Sequence, residues 1–338
     1  MKNSLYLISN EKILQNNEMS FCDNLDMKST PEGLNKHFDV NVIARKSNVR
    51  RSQKIHLKNV KTFSNIFSYI FEVAQSLKQN NSQFLIISLT PFTFLAGIVL
   101  ILYGKKPYLY LRSNGYDEYK IILGVFGKFI YHLMFIVITK FSILISCREY
   151  ILMGKKGNIV SPSQLDTSWH QNHVRPSVNE IRLLYVGRIK KEKGIFSLLN
   201  LLKDQSKINL TIVGASEEDA KIVQSNVSVL KIIKEKKELI NLYDKNNITI
   251  LPSYTEGYPM VILESLSRHR PVIIFKEIEH VIKNRKGIFV SNRDNVSLLE
   301  KINYIISNYN SIQESIKSNK LPDNDSFISQ LKEILSKN

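Results

Sequence analysis

Two glutamates stand eight positions apart in the run Pro252-Ser253-Tyr254-Thr255-Glu256-Gly257-Tyr258-Pro259-Met260-Val261-Ile262-Leu263-Glu264. Gly257 allows the backbone to turn closely against a ligand, and Pro259 suits the first turn of a helix, where its missing N–H is not needed. The amides of such a helix start receive an anion or the oxygens of a sugar, while carboxylates accept hydrogen bonds from hydroxyl groups. Glu256 and Glu264 are therefore read as sugar and ribose contacts, with Gly257, Tyr258, Pro259, Met260 and Val261 lining the same turn. The plainer alternative makes Glu256 a solvated loop residue and Glu264 a surface helix residue. Val261, Ile262, Leu263 and Leu266 predict a largely buried helix, in which a carboxylate needs a partner or an opening.

A second run, Leu184-Tyr185-Val186-Gly187-Arg188-Ile189-Lys190-Lys191-Glu192-Lys193-Gly194, again reads as strand, glycine turn and helix start, here with cations. A guanidinium grips phosphate oxygens bidentately and an ammonium adds a point charge. Arg188 and Lys193 are thus the candidates to neutralise charge growing on a departing diphosphate, without a metal. Lys190 and Lys191 read as a solvated basic loop.

The elements that must position these residues follow a βαβ rhythm. In the first half, strands are expected at 5–9, 38–44, 84–89, 108–111, 142–146 and 158–161. Helices are expected at 63–78, from Phe92, and from Tyr116 to about Thr139. In the second half strands at 181–186, 209–213, 229–232, 248–251 and 272–275 alternate with helices at 195–204, 217–224, 237–245 and 259–267. The pattern predicts an α/β protein of two Rossmann-like domains, each a parallel sheet with helices on both faces. Ligands of such sheets bind beyond the carboxyl ends of the strands, so the loops after Val186, Val213 and Leu251 are expected to face the site. A length of 338 residues fits two such domains. The boundaries drawn are 1–165, a polar linker over 166–180, and 181–338 with a last helix able to pack back on the first domain.

The net charge of +17 calls for an anionic partner. Residues 1–160 carry 21 Lys and Arg against 10 Asp and Glu, so the first half is the more basic. No nucleic-acid module accompanies the charge, and lipid headgroups and diphosphates account for it. Cys22 and Cys147 stand far apart with no CxxC, which argues against a disulfide framework or a zinc site and suits a reducing cytoplasm. The uncharged run 79–104 divides at Thr90-Pro91 into a buried strand and a buried helix rather than a span. The stretch 129–139, between Lys128 and Lys140, is too short to cross a bilayer; a core helix and an interfacial helix docked on an anionic leaflet both remain open.

The two runs together resemble the family-4 glycosyltransferases, whose C-terminal domain shows Gly-Arg, then Lys-Gly, and further on Pro-Ser, Glu-Gly and a second glutamate. Gly187-Arg188 with Lys193-Gly194 matches the first, and Pro252-Ser253, Glu256-Gly257 and Glu264 the second. Arg270-Pro271-Val272-Ile273 looks like the following strand, and Pro162 with Asp166 like the pair that closes the first domain. The resemblance covers roughly 181–290. It implies the GT-B fold, two sheets facing a central cleft, with a nucleotide-diphosphate sugar donor in the C-terminal domain and the acceptor in the N-terminal one. It also implies retention at the anomeric carbon and no required metal or cofactor. Arg188, Lys193 and Glu256 are the catalytic candidates, and Gly187, Gly257, Tyr258, Pro259, Met260, Val261 and Glu264 the donor-binding ones.

The chain departs from that family at His269, where glycine usually precedes the strand, and over 9–27, which is polar and lacks the usual glycine-rich loop. No histidine follows 108–111; Arg112, Asn114 and Asp117 stand there as acceptor-side candidates or as plain loop residues. The function expected is sugar transfer to a hydroxyl of a glycan or lipid-linked acceptor in bacterial surface polysaccharide or lipopolysaccharide assembly. The expected location is the cytoplasm, peripheral on the inner face of the membrane. A non-catalytic nucleotide-sugar-binding subunit and an epimerase or hydrolase on the same fold are the alternatives.

Overall fold

Short apolar strands and longer helices assemble into two α/β units, Met1–Gln164 with Asp323–Asn338, and Leu165–Pro322. The computed structural model describes residues 2–16, 19–79, 81–215, 224–233 and 235–337; the helix expected over 217–224 lies outside them as far as residue 223.

The first unit contains, in chain order, β1 (Ser4–Asn16), β2 (Met19–Cys22), α1 (Asp26–Leu34), β3 (Asp39–Lys46), β4 (Gln53–Ile55), β5 (Val60–Phe63) and α2 (Ile66–Ser76). There follow β6 (Gln83–Ile87), α3 (Pro91–Leu102), β7 (Tyr108–Leu111), α4 (Gly115–Lys140), β8 (Ile143–Ser146) and β9 (Asn158–Ile159). Parallel strands run in the order β5-β3-β1-β6-β7-β8-β9. Every residue of β7 is buried, as a parallel strand covered on both faces requires. From β5 through β8 the crossovers advance in one direction, so right-handed connections put α2, α3 and α4 on one face. The connection from β1 to β3 runs the other way and puts α1 on the opposite face.

Two features differ from the sequence expectation. β1 does not stop at residue 9 but shifts register after Ile8 and continues to Asn16, pairing antiparallel with β2, which pairs with β4. A β extension thus occupies the polar stretch where the resembled family carries a glycine-rich loop. The apolar helix, expected as one piece from 116 to 139, is broken at Gly124 (φ 64°, ψ −150°), a conformation that in practice only glycine adopts. The rings of Tyr119 and Tyr131 lie 5.2 Å apart. Twelve residues of straight helix would separate them by about 18 Å. The Cβ of an alanine at 127 would meet the Tyr119 carbonyl oxygen at 2.2 Å. The arms 115–123 and 125–140 therefore fold back on each other as a helical hairpin.

The second unit contains β10 (Ile181–Val186), α5 (Ile195–Leu201), β11 (Ile208–Ala215), β12 (Val227–Lys231), α6 (Lys236–Lys245) and β13 (Ile248–Leu251). It continues with α7 (Met260–Ser267), β14 (Val272–Phe275), β15 (Ile288–Ser291), α8 (Asn295–Ser307) and α9 (Tyr309–Lys317). Its parallel sheet has the order β12-β11-β10-β13-β14-β15. In this doubly wound order the strand sequence reverses between β10 and β13, and the crevice at that switch point is where ligands bind.

The chain then returns to the first unit as α10 (Asn324–Ser336), started by a capping box at Asp323. Phe327, Ile328 and Leu331 join the core that α1 covers, and Gln330 Oε1 accepts from the Ser161 amide at 2.8 Å.

Residues 166–180 are held against the second unit. Asp166 caps a short turn at Thr167–His170 and pairs with Lys236, and Trp169 is buried with its ring edge-on to Tyr243. The Arg268 guanidinium grips Asp244 with two bonds (3.0 and 2.7 Å) and donates to the carbonyls of Trp169, Gln171 and Asn172. Arg270 donates to the carbonyl of Val174. Both arginines are buried, and this is tolerable because their donors are matched by acceptors. Between them His269 has φ 55°, a left-handed position that explains why glycine is usual there. Its ring stacks on His173 at 4.0 Å, and burial, with His173 beside it, depresses its pKa to about 4.

Candidate functional site

The loop after β10 and the loop after β13 meet at the switch point of the second unit. The Gly187 amide donates to the Val213 carbonyl at 2.9 Å, and the buried Tyr185 hydroxyl donates to the Arg188 carbonyl at 2.8 Å. This backbone is fixed while the Arg188 side chain stays exposed, with no hydrogen bond or ion pair among the described residues. A guanidinium left open at the carboxyl end of a central strand is poised for an external anion.

Lys193, by contrast, has a partner within the chain. Its Nζ lies 2.7 Å from Glu256 Oε1, and the buried Ser253 hydroxyl donates to the same oxygen at 2.7 Å. Glu256 is only 10% exposed, so it is not a solvated loop residue. A second link joins the loops: the Tyr254 amide donates to the Glu192 carbonyl at 3.0 Å. Arg293 braces the outer side, donating to the Pro252 carbonyl at 2.9 Å and lying 4.0 Å over the Tyr254 ring. The His280 ring nitrogen lies 2.9 Å from the Glu256 carbonyl oxygen.

Close packing at Gly194 holds these loops together. Its φ of 69° is left-handed, and a Cβ there would lie 1.9 Å from the Pro252 carbonyl oxygen. Gly187 is restricted by its neighbour instead: a Cβ would meet the Tyr185 hydroxyl at 2.9 Å.

Gly257, Tyr258, Pro259, Met260 and Val261 lead into and begin α7 and are half-buried. Pro259 stands one position before the helix rather than in its first turn, and no side chain caps the helix. Tyr258 accepts from Arg285 at 3.2 Å, and Lys283 lies 5.1 Å over its ring. Glu264 lies one turn along α7. Its Oε2 accepts a 2.7 Å hydrogen bond from Tyr243, while Oε1 has no hydrogen-bond partner among the described residues. Burial lifts the Glu264 carboxyl above the ordinary carboxylate range, with the Tyr243 hydroxyl opposing the shift. Burial, then the Glu264 charge, raises Tyr243, which therefore stays a donor. The site offers an open guanidinium, an ammonium–carboxylate pair, an uncapped helix start and one oriented carboxylate, a set that fits a diphosphate and vicinal hydroxyls.

In the first unit, Arg112 lies 3.6 Å from Asp26 and donates to Ser88 Oγ at 3.3 Å. Asn114 caps α4 and donates to Asp117 at 2.7 Å, so both are occupied by the helix start. Ser88 was missed by sequence reasoning; it directly follows β6 at φ 64°, at the reversal between β1 and β6. Nearby, Arg45 lies 4.4 Å over the Phe92 ring and is bonded to Asn10, and burial raises the Glu11 carboxyl while Arg112 and Arg51 oppose the shift. Tyr243, Ser253 and Arg293 were missed likewise, and only the serine belonged to a legible run.

Residues 166–321 match the family Glycosyl transferases group 1. The capsular polysaccharide biosynthesis glycosyltransferase CapM of Staphylococcus aureus is 28% identical over 46% of this chain and 44% of its own length. A Campylobacter jejuni enzyme, N,N'-diacetylbacillosaminyl-diphospho-undecaprenol alpha-1,3-N-acetylgalactosaminyltransferase, is 23% identical over 70% of this chain and 58% of its own. The matched stretches span about half the length of these relatives. Among solved structures, Anabaena HepE in complex with UDP and glucose superposes with a TM-score of 0.73 at 14% identity, covering 100% of both chains. Sucrose-phosphate synthase from Thermosynechococcus elongatus gives 0.72 at 15%, covering 98% of each. The chain has the GT-B fold, and within its second unit residues 166–321 are similar to the group 1 glycosyltransferases.

Proposed function

We propose that the chain is a retaining glycosyltransferase that moves a sugar from a nucleotide-diphosphate donor to a hydroxyl acceptor in bacterial surface polysaccharide or lipopolysaccharide assembly. The observation that carries this reading is that the loops after β10 and β13, joined by the Lys193–Glu256 pair, meet at one strand-order reversal, with Arg188 open on the first loop and Glu264 held by Tyr243 on the helix that follows the second. In this reading Arg188 and the uncapped start of α7 bind the diphosphate, and Glu264 Oε1 accepts from the ribose hydroxyls. Glu256, fixed by Lys193 and Ser253, faces the donor sugar. Lys193 is positioned to shift toward the leaving diphosphate as charge develops on it, so the reaction needs no metal. The acceptor enters over the crevice of the first unit around Arg45, Ser88 and Arg112. HepE supports a uridine diphosphate donor, and the Campylobacter relative supports a lipid-linked acceptor. The enzyme would then work in the cytoplasm, on the inner face of the membrane.

The test is incubation of the chain with a panel of nucleotide sugars and polyprenyl-diphosphate-linked acceptors, followed by NMR of the product. Transfer with the donor's anomeric configuration is expected. Inversion, or hydrolysis of the donor with no transfer, would overturn the proposal.

Glu264→Gln separates binding from folding. The amide oxygen still accepts from Tyr243, but the charge that receives the ribose hydroxyls is gone. Donor affinity is expected to fall about ten- to a hundredfold, the range of a charge-assisted hydrogen bond. Because the folded carboxyl titrates above its unfolded value, its ionised form opposes folding, and stability is lost as pH rises through the folded pKa. The variant should therefore melt at or above the parent temperature at pH 7 while binding donor less tightly. Parent-like donor affinity in isothermal titration would remove Glu264 from the site.

A further inference from the structure

The helical hairpin of α4 leaves its own turn uncovered. Ile122 is 70% exposed, Val125 79% and Phe126 69%, with Ile121 and Phe129 also exposed beside them. This is a clustered apolar tip, whereas the exposed hydrophobics of a monomer are ordinarily scattered. Gly124 makes the tip: without its glycine-only backbone the arms could not reverse, and these side chains would spread along one rod.

By length and composition α4 could cross a membrane, but the break removes that reading. The longer arm, 125–140, spans about 24 Å, short of the ~30 Å hydrocarbon core. Its inner residues Tyr131 and Phe135 pack against Tyr116 of the other arm. The hairpin is a wedge, not a span.

Charge decides what the wedge meets. No Asp or Glu occurs from Val73 through Tyr116 or from Tyr119 through Arg148, while Lys105, Lys106, Lys120, Lys128 and Lys140 fall within those stretches. The carboxylates nearest the tip in sequence are Asp117, bonded to Asn114, and Glu118, exposed one turn before Ile122, so that the lysines on the two arms still outweigh them. Lys120 and Lys128 flank the apolar tip directly, and both are exposed. A second copy docked on this face about a two-fold axis would set these lysines against their own images, a repulsive arrangement. An anionic bilayer surface offers apolar depth and opposite charge together.

We infer that the α4 hairpin is a monotopic anchor: Ile121, Ile122, Val125 and Phe126 insert below the headgroups of an anionic leaflet while Lys120 and Lys128 pair with lipid phosphates. The anchor rests on the proposed placement at the inner face of the membrane and names the surface that makes the contact; it stands apart from the donor assignment, since it uses no residue of the second unit.

The experiment is co-sedimentation of the full chain with vesicles of phosphatidylglycerol and phosphatidylcholine, compared with phosphatidylcholine alone. The chain is expected to pellet with the anionic vesicles, less so in 1 M salt, where screening shortens the reach of the lysines. Ile122→Asp with Phe126→Asp should lower partitioning at least about tenfold, and Lys120→Ala with Lys128→Ala several-fold, on anionic vesicles only. An environment-sensitive dye on Val125→Cys should shift to the blue and be quenched by brominated acyl chains. The tip side chains are exposed, so the aspartates remove little packing; unchanged circular dichroism and thermal melting of each variant confirm folding. Failure to pellet with either vesicle, equal binding by the aspartate variant, or an unquenched dye would overturn the anchor. A concentration-dependent dimer in sedimentation velocity, abolished by the aspartates without vesicle binding, would assign the face to a second copy instead.

Discussion

Arg188→Ala is expected to lower kcat for sugar transfer by about a hundred- to a thousandfold, the cost of removing one preorganised charge from a developing anion. The donor KM should change far less, because in the proposed reading the nucleotide keeps its contacts to Glu264 and to the start of α7. Arg188 is suited to this test: its side chain is exposed and bonds to nothing else among the described residues, and its backbone is pinned by Tyr185 independently. The melting temperature should therefore stay at the parent value. Arg188→Lys should recover only part of the rate, since an ammonium lacks the planar fork that meets two phosphate oxygens. Steady-state kinetics decide it. A loss confined to KM would make Arg188 a ground-state binder rather than a leaving-group stabiliser, and no loss would exclude it.

Lys193→Ala would be a poorer experiment for the same question. It would leave the Glu256 carboxylate, only 10% exposed, with the Ser253 hydroxyl but no cation, so lost activity would mix chemistry with a disturbed loop.

The residues proposed to bind the donor can be picked out in the sequence because their determinants are local. Arg188 and Lys193 lie just past one strand, Glu256 and Glu264 just past another, and parallel sheets present such loops at one edge. Strand identity at β10, β13 and β14 followed from short, largely apolar runs, broken only by Arg182 and Thr249, which mark strands covered on both faces. What could not be read depends on contacts between distant residues. Nothing around Tyr243 announces a hydroxyl aimed at Glu264, 21 positions on across a strand. The β1 extension is made by pairing with β2 and β4, and its polar sequence resembles a loop until those partners are present. In sequence Gly124 is one more small residue in an apolar stretch; its role appears only in its φ of 64° and the 5.2 Å approach of Tyr119 and Tyr131. Arg268 and Arg270 are buried charges that composition places at the surface, and they are stable inside because Asp244 and the carbonyls of 169–174 meet their donors.

Gly194→Ala tests whether the two loops act as one unit. The methyl group would collide with the Pro252 carbonyl, which is main chain and cannot rotate away, and alanine would also be held at φ 69°. Relief requires the loop that carries Ser253, Tyr254 and Glu256 to move off the loop that carries Glu192 and Lys193, breaking the Tyr254–Glu192 and Lys193–Glu256 contacts. Together these effects should cost about 2–4 kcal/mol and lower the melting temperature by roughly 5–10 °C. Transfer should fall to background even in the fraction that remains folded. Gly194→Asn divides the two causes, because asparagine tolerates left-handed backbone but carries the same Cβ. If the collision dominates, asparagine is as damaging as alanine in both melting and activity. If asparagine restores the parent melting temperature, backbone strain alone accounts for the glycine, and the close approach to Pro252 is not what holds Glu256 in place.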